Sequence, residues 1–168
     1  MKEQIESTAV KSTAALAGHP IHPMLIPFPV AFLLGAVLTD VAFVFTGNEF
    51  WAGVSYWLIL GGFVLGGLAG VIGMIDFFTI PRARNLFGWA HGAGNITTVI
   101  LALVNFLLRV NNPVQAILPE GIILSFVIGA ILLVTAWLGG ELAYRYEIGV
   151  NPRQEVLRSS PPDLRKAA

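Results

Sequence analysis

Five residues near the ends of the predicted helices have side chains of the kinds that bind transition metals. They are His19, His22, Asp76, His91 and Glu141. Imidazole and carboxylate ligands together suit zinc, iron, manganese or copper. The chain contains no cysteine, which excludes disulfides, Fe–S clusters, thiolate metal sites and cysteine nucleophiles. The metal chemistry that remains is a site made of histidine and carboxylate ligands.

These residues have to be positioned by helices that cross a membrane. The chain is 55% hydrophobic and only 12% charged, whereas soluble domains carry about 25% charged residues. Apolar segments lie at about residues 24–45, 54–80, 87–108 and 121–144, and each can span a hydrocarbon core of about 30 Å. Because the connections are short, consecutive helices should be antiparallel neighbours. The predicted fold is an all-α integral membrane protein, a four-helix antiparallel transmembrane bundle.

Polar sequence flanks the predicted bundle on both sides. Residues 1–18 form a polar N-terminal segment, residues 19–150 form the transmembrane domain, and residues 151–168 are predicted to be a disordered tail. The N-terminus lacks the compact apolar core of a signal peptide, so the first span itself is expected to direct insertion. The formal net charge is zero, which gives no electrostatic reason to expect nucleic acid as a partner.

Basic residues fall almost entirely on one side of the predicted membrane. Arg109 lies near the other side, and the remaining nine are Lys2, Lys11, Arg82, Arg84, Arg145, Arg153, Arg158, Arg165 and Lys166. Basic segments near membrane helices stay in the cytoplasm. Both termini are therefore predicted to be cytoplasmic, and an up-down-up-down bundle brings all five candidate metal ligands to the cytoplasmic face.

Two helix faces are predicted to look into the bundle, because their residues recur at spacings of three and four. The small-residue face of the second span contains Gly62, Gly66, Ala69, Gly73 and Asp76. The polar face of the third span contains His91, Asn95, Thr98, Ala102, Asn105 and Arg109. Small residues allow close helix packing, and polar groups in hydrocarbon need partners. The glycines are expected to serve packing or to leave a groove for a flat cofactor.

Asp40 and Arg109 are predicted to form a structural ion pair. Asp40 follows His22 by 18 residues, and Arg109 follows His91 by 18 residues. Eighteen residues make about five helical turns, so the members of each pair share one face and lie about 27 Å apart. Asp40 and Arg109 therefore reach the same depth near the outer surface, where each otherwise lacks a partner.

The sequence resembles a bacterial membrane family known as domain of unknown function 2231, over about residues 18–150. The motifs that carry the resemblance are GHPIHPML at 18–25 with Pro27 and Pro29, Asp40, IDF at 75–77, IPRAR at 80–84, His91 with Asn95, WLGGELAY at 137–144, and Gly149 with Val150. The resemblance implies a multi-pass protein of the bacterial cytoplasmic (inner) membrane with no assigned activity. Some relatives look fused to Rieske-type iron–sulfur domains, which implies redox chemistry and electron transfer.

One position departs from the family. Relatives often place a histidine shortly after the tyrosine of the last motif, where this chain has Tyr146. A site of four histidines is therefore not expected here.

Several functions remain open at this point. The first is a redox-active transition-metal site on His22, His91, Asp76 and Glu141, with His19 as a further ligand or a partner of one. The second is a b-type cytochrome, in which His22 and His91 bind haem b and the glycine face accommodates the porphyrin. The third is a non-catalytic structural or accessory subunit of a membrane complex.

Transport and catalysis are less well supported. Transport of protons or metal ions along the polar face of the third span is opposed by the apolar gap at Ala102. No nucleotide-binding loop, serine-hydrolase elbow or pair of catalytic carboxylates is recognisable, so no enzyme is predicted. The expected partners are the lipid bilayer and a redox partner protein or a second copy of the chain.

Overall fold

Four long apolar helical spans dominate the computed structural model, which describes residues 9–150. The spans are Ile21–Thr46, Glu49–Thr79, Leu86–Arg109 and Ile117–Arg145. Each is long and apolar enough to cross a membrane, and their boundaries differ from the sequence prediction by one to five residues. The predicted four-helix antiparallel transmembrane bundle is confirmed. Residues 1–8 and the tail predicted to be disordered lie outside the described residues.

The first span is a nearly continuous helix that tolerates several prolines at its start. It consists of α1 (Ile21–Leu25) and α2 (Pro27–Thr46), which are joined at Ile26. Ile26 keeps a right-handed helical conformation and donates its backbone N–H to the His22 carbonyl at 3.2 Å. Pro27 and Pro29 remove two helix hydrogen bonds without reversing the chain. The sequence predicted an irregular start of the first span. The structure shows a helical start in which two backbone N–H donors, those of Pro27 and Pro29, are missing.

Side-chain caps fix the starts of the next two helices. The Asn48 side chain accepts a hydrogen bond from Phe50 N at 2.9 Å and starts α3 (Glu49–Thr79), five residues earlier than predicted. After a short 3₁₀ turn at Pro81–Ala83, Asn85 caps α4 (Leu86–Arg109) in the same way. Asparagine is a favoured cap because its side-chain oxygen satisfies one of the free N–H groups at a helix start.

The fourth span consists of a kinked turn at Ile117–Gly121, in which Leu118 is extended, then α5 (Ile122–Gly140), then a π-helical turn at Glu141–Arg145. Helix α2 packs against α3 and α5, and α4 packs against the same two helices. The first and third spans therefore lie diagonally opposite each other across the bundle. The second and fourth spans form the other diagonal.

The glycine face of α3 is a packing surface. A Cβ atom added at Gly62 would lie 2.5 Å from the Leu33 side chain of α2, and one at Gly66 would lie 3.4 Å from Val99 of α4. Side chains of both neighbouring helices thus fill the space that the glycines leave. Close helix approach through small residues is the usual packing mode in membranes.

The two ends of the described chain meet at one end of the bundle, which we call the terminal end. A short antiparallel hairpin pairs β1 (Ala15–Leu16) with β2 (His19–Pro20) just before α1. Ahead of it, Val10 pairs with Ile148, donating its N–H to the Glu147 carbonyl at 2.9 Å. We call residues 10–14 the N-terminal strap. The opposite end of the bundle is called the distal end.

Candidate functional site

Two histidines meet at the terminal end of the bundle. His22 lies in α1 and His91 lies near the start of α4, and both are half-buried. Their ring centroids are 6.4 Å apart and their ring planes are inclined by 85°. Because the first and third spans are diagonally opposite, this ring contact crosses the bundle.

Each of these imidazoles is held by a backbone carbonyl of a third helix. His22 Nδ1 lies 2.8 Å from the Ala69 carbonyl oxygen of α3, and His91 Nδ1 lies 2.9 Å from the Thr135 carbonyl oxygen of α5. A carbonyl oxygen can only accept, so Nδ1 carries the hydrogen in both rings. Nε2 is therefore the ring atom of each histidine that is not used to anchor the ring.

The second and fourth spans hold the two rings in the same way. In each span the residue that supplies the carbonyl is followed four positions later by a glycine, as Ala69 is by Gly73 and Thr135 is by Gly139. A Cβ atom at Gly73 would lie 2.8 Å from the first-span ring, and one at Gly139 would lie 3.1 Å from the third-span ring. Each ring therefore packs directly against a helix backbone, in the space that a side chain larger than glycine would fill.

The lone pair of His91 faces the Asn95 amide. Asn95 Nδ2 lies 3.2 Å from His91 Nε2 and also donates to the His91 backbone carbonyl at 2.8 Å. The contact to Nε2 is at the long end of the range for an N–H hydrogen bond. Asn95 thus covers the His91 lone pair with a weak contact while its amide is held in place by a stronger one.

Asp76, predicted as a metal ligand, binds the N-terminal strap in this structure. Its carboxylate accepts hydrogen bonds from Ser12 Oγ at 2.6 Å, Thr13 N and Thr13 Oγ1 at 2.8 Å each, and Ala14 N at 3.0 Å. Thr13 Oγ1 also pairs with the Thr79 hydroxyl at the end of α3. Asp76 therefore joins the strap to the second span.

The two remaining predicted ligands lie apart from the histidine pair. Glu141 pairs with Arg145 one turn later, at 3.5 Å between Oε2 and the guanidinium. His19 is exposed in the hairpin, and its Nδ1 contacts the Ala17 carbonyl at 3.1 Å. Within residues 9–150, no three histidine, aspartate or glutamate side chains come together as a possible metal site. The structure thus brings together two of the five predicted ligands, His22 and His91.

The distal end contains a completely buried ion pair between Asp40 and Arg109. Arg109 Nη1 lies 2.7 Å from Asp40 Oδ1, and Nη2 lies 2.7 Å from Oδ2. Two parallel hydrogen bonds of this kind are the strongest form of arginine–carboxylate contact. The pair links the first and third spans at the depth expected from the sequence.

Three further polar side chains complete what we call the distal cluster. The sequence analysis identified Asn105, which accepts from Arg109 Nε at 2.9 Å, but not the two serines. Ser55 Oγ donates to Asp40 Oδ1 at 2.6 Å, and Ser125 Oγ donates to Oδ2 at 2.7 Å. The serines come from the second and fourth spans, so the cluster of Asp40, Ser55, Asn105, Arg109 and Ser125 ties all four spans together.

An apolar layer separates the two polar ends of the bundle. Thr98 and Ala102 of α4 are buried between them, and Thr98 Oγ1 has no hydrogen-bond partner among the described residues. The core beside this layer is formed by Leu33, Ile128 and Leu132. The polar face of the third span thus points inward as predicted, but its hydrogen bonds do not form a continuous chain.

Comparison with known proteins identifies a family. No curated protein matches the chain, and no solved structure matches it. Residues 18–152 match the family described as "Predicted membrane protein (DUF2231)". This range contains all four spans, the histidine pair and the distal cluster, and it agrees with the resemblance carried by the sequence motifs. The chain therefore belongs to the DUF2231 family of predicted membrane proteins.

Proposed function

We propose that this protein holds a redox-active transition metal on His22 and His91, inside the membrane at the terminal end of the bundle. The observation that carries the proposal is the shared anchoring of the two rings, because Nδ1 of each lies within hydrogen-bond distance of a helix carbonyl and Nε2 is left as the atom that could bind a metal. Histidines that ligate metals are usually held by this kind of hydrogen bond, which fixes the orientation of the ring.

The alternative to metal binding is that the histidines only pack. Their repeated mode of attachment argues against it, since α3 and α5 each provide a carbonyl acceptor and a glycine space for one ring. A half-buried imidazole whose lone pair meets only a weak donor is an unfavourable packing residue in hydrocarbon. Ionisable residues within membrane spans are therefore functional candidates by default.

The carboxylates predicted as ligands are not needed for this proposal. Asp76 has four hydrogen bonds to the N-terminal strap, and Glu141 is paired with Arg145. Either carboxylate would have to leave its present partners before it could bind a metal at the histidine pair. We therefore base the site on the two imidazoles.

A b-type haem is the second candidate, because histidines from facing helices of a bundle can serve as its two axial ligands. The packing of α3 opposes it. Gly62, Gly66 and Gly73 are in contact with side chains of neighbouring helices, so a porphyrin would require the spans to separate. Haem is thus an alternative outcome of the test below.

The test is elemental analysis and an absorption spectrum of the detergent-purified, full-length protein. We expect a transition metal in the wild type, loss of most of it in His22→Ala and in His91→Ala, and retention in His19→Ala. His19 is the matched control because it belongs to the same motif but is exposed in the hairpin.

Other outcomes would redirect the assignment. A Soret band that either histidine substitution abolishes or shifts would identify haem b. If the folded wild type carries neither metal nor haem and binds neither on reconstitution, the metal proposal is wrong. The protein would then be assigned as a structural or accessory subunit of a membrane complex.

We also propose that the terminal end faces the cytoplasm of a bacterial inner membrane. Nine of the ten lysines and arginines lie on the side of the terminal end in the sequence, which is the distribution that keeps segments cytoplasmic. A reporter that is active only in the periplasm should be silent when fused after Ala168. Strong periplasmic activity of that fusion would reverse the orientation and place the histidine pair at the outer face.

A further inference from the structure

We infer that a groove at the terminal end of the fourth span binds the headgroup of phosphatidylethanolamine, a phospholipid that carries a primary ammonium beside its phosphate. The groove is separate from the histidine pair, and the inference is independent of the metal proposal. It draws on the space within the groove, on the two opposite charges that line it, and on the membrane level at which it lies.

The groove has a volume of about 240 Å³ and is lined by residues of the fourth span alone, which are Trp137, Gly140, Glu141, Tyr144 and Arg145. Because no other span contributes to the lining, the groove opens toward the membrane rather than into the bundle. A Cβ atom added at Gly140 would meet no atom of the described residues within 4 Å, whereas one at Gly139 would meet the His91 ring. A ligand atom therefore has room beside the backbone at Gly140.

Two opposite charges line the groove, four residues apart in sequence. Arg145 Nη1 lies 3.5 Å from Glu141 Oε2, whereas the ion pair of the distal cluster is 2.7 Å long. Charge-assisted N–H···O contacts are normally about 2.7–2.9 Å long, so the pair in the groove is loose. A carboxylate can accept about four hydrogen bonds, and within the described residues the Glu141 side chain has this one contact. Both charged groups can therefore take a further partner.

The headgroup of phosphatidylethanolamine carries the complementary pair of charges. Its ammonium can donate hydrogen bonds to Glu141, and its phosphate can accept them from the guanidinium of Arg145, a group that suits phosphate oxygens well. Trp137 and Tyr144 are 61% and 91% exposed beside these charges, and the face of an aromatic ring attracts a cation. A purely anionic headgroup would place a negative charge next to Glu141, and a choline headgroup has no N–H to donate.

The level of the groove in the membrane also fits a lipid headgroup. Its residues lie in the last turns of the fourth span, and tryptophan and tyrosine are typical of the boundary between hydrocarbon and water. Toward the membrane centre the same helix face continues with Leu133 and Val134, which are 65% and 59% exposed. An acyl chain attached to a headgroup in the groove can lie along these apolar side chains.

The plainer alternative is an exposed ion pair, which contributes little to stability by itself. The two side chains are not equally exposed, however, since 23% of the Glu141 side chain and 69% of the Arg145 side chain are accessible. The carboxylate thus lies inside the groove and the guanidinium at its edge. This arrangement favours a ligand whose ammonium enters the groove while its phosphate stays at the edge.

The experiment is native mass spectrometry of the full-length protein, purified in detergent, delipidated, and offered phosphatidylethanolamine, phosphatidylcholine and phosphatidylglycerol with identical acyl chains. We expect one bound phosphatidylethanolamine with a Kd about tenfold lower than that of either other lipid. Glu141→Gln should remove the preference over phosphatidylcholine, and Arg145→Gln should raise the Kd for phosphatidylethanolamine about tenfold. Arg84→Gln is the matched control, because it removes an exposed arginine of the same end outside the groove and should leave the Kd within about twofold.

Gly140→Leu tests the groove itself, because it fills the space without removing a charge. The room around Gly140 allows the larger side chain, so the unfolding temperature in detergent should stay that of the wild type while the Kd rises about tenfold. If this variant binds phosphatidylethanolamine as the wild type does, the inference is wrong. Equal affinity for the three lipids, tighter binding of phosphatidylglycerol, or no bound lipid would each overturn it as well. The metal proposal is tested separately, by the metal content of the histidine variants.

Discussion

The two ends of the bundle use polar side chains in different ways. At the distal end the partners of Asp40 and Arg109 are each other and neighbouring polar side chains of all four spans. At the terminal end His22 and His91 are each held through Nδ1, and the Nε2 atom of His91 has only a 3.2 Å contact to an amide. The first arrangement is closed, whereas in the second one nitrogen of each ring takes no part in anchoring that ring.

Under the proposed function, this difference separates structural from functional polarity within one membrane domain. A closed network in a low dielectric cannot accept a ligand without breaking a charge-assisted bond, which is expensive there. A ring that is anchored on one side and weakly covered on the other can take a ligand with little rearrangement. Under that proposal, the completeness of hydrogen bonding distinguishes the two ends better than the presence of charge does.

The largest expected effect is the loss of either charge from the distal cluster. Arg109→Leu or Asp40→Leu leaves the other charge buried without its partner, which typically lowers the free energy of unfolding by about 3–5 kcal/mol. The double variant should recover part of that loss, because neither charge then remains. Thermal unfolding in detergent measures all three proteins, and a double variant whose loss equals the sum of the two single losses would show that the residues are not coupled.

The histidine pair supplies the control for that comparison. His22→Leu and His91→Leu, studied without added metal, should lower the unfolding temperature less than Arg109→Leu does, because no charge is left unpaired. If either histidine variant were as unstable as Arg109→Leu, the terminal end would be as structural as the distal end. The distinction between the two ends would then be wrong.

The smallest expected effect is at Thr98, between the two ends. Its hydroxyl is buried without a partner among the described residues, so Thr98→Val removes an unsatisfied polar group and keeps the shape of the side chain. Stability should stay unchanged or rise by about 1 kcal/mol. A clear decrease in the unfolding temperature would mean that a water molecule or another group bonds to Thr98, and that the apolar layer is hydrated.

Much of the fold follows from the sequence because helix geometry is regular. Segment length gives the four spans, and a spacing of 18 residues places Asp40 and Arg109 at one depth. The same regularity explains why the polar face of α4 points inward, with Asn105 and Arg109 completely buried. Periodicity within one helix predicts which face is buried, and matched depth predicts which residues can meet.

The parts that were not predicted depend on contacts that periodicity does not describe. Ser55 and Ser125 are single hydroxyl residues in apolar runs, and their role appears only once Asp40 and Arg109 are in place between them. Asp76 binds a strap more than 60 positions away in sequence, which no helical pattern indicates.

Two other features left a signal in the sequence. Glu141 and Arg145 are four residues apart on one helical turn, the spacing of a local ion pair. Gly73 and Gly139 mark the two places where a histidine ring rests against a helix. The presence of a glycine in the sequence did not show whether it makes space for a histidine ring or allows ordinary close packing of helices.

The buried ion pair also sets an order of events while the chain is being made. Asp40 precedes Arg109 by 69 residues, so at about 5–20 residues per second the carboxylate enters the membrane roughly 3–14 s before its counter-charge is synthesised. During that interval the first helix carries an acid that hydrocarbon disfavours. A chain whose synthesis stops before the third span keeps that acid unneutralised, whereas a completed chain neutralises it as Arg109 arrives.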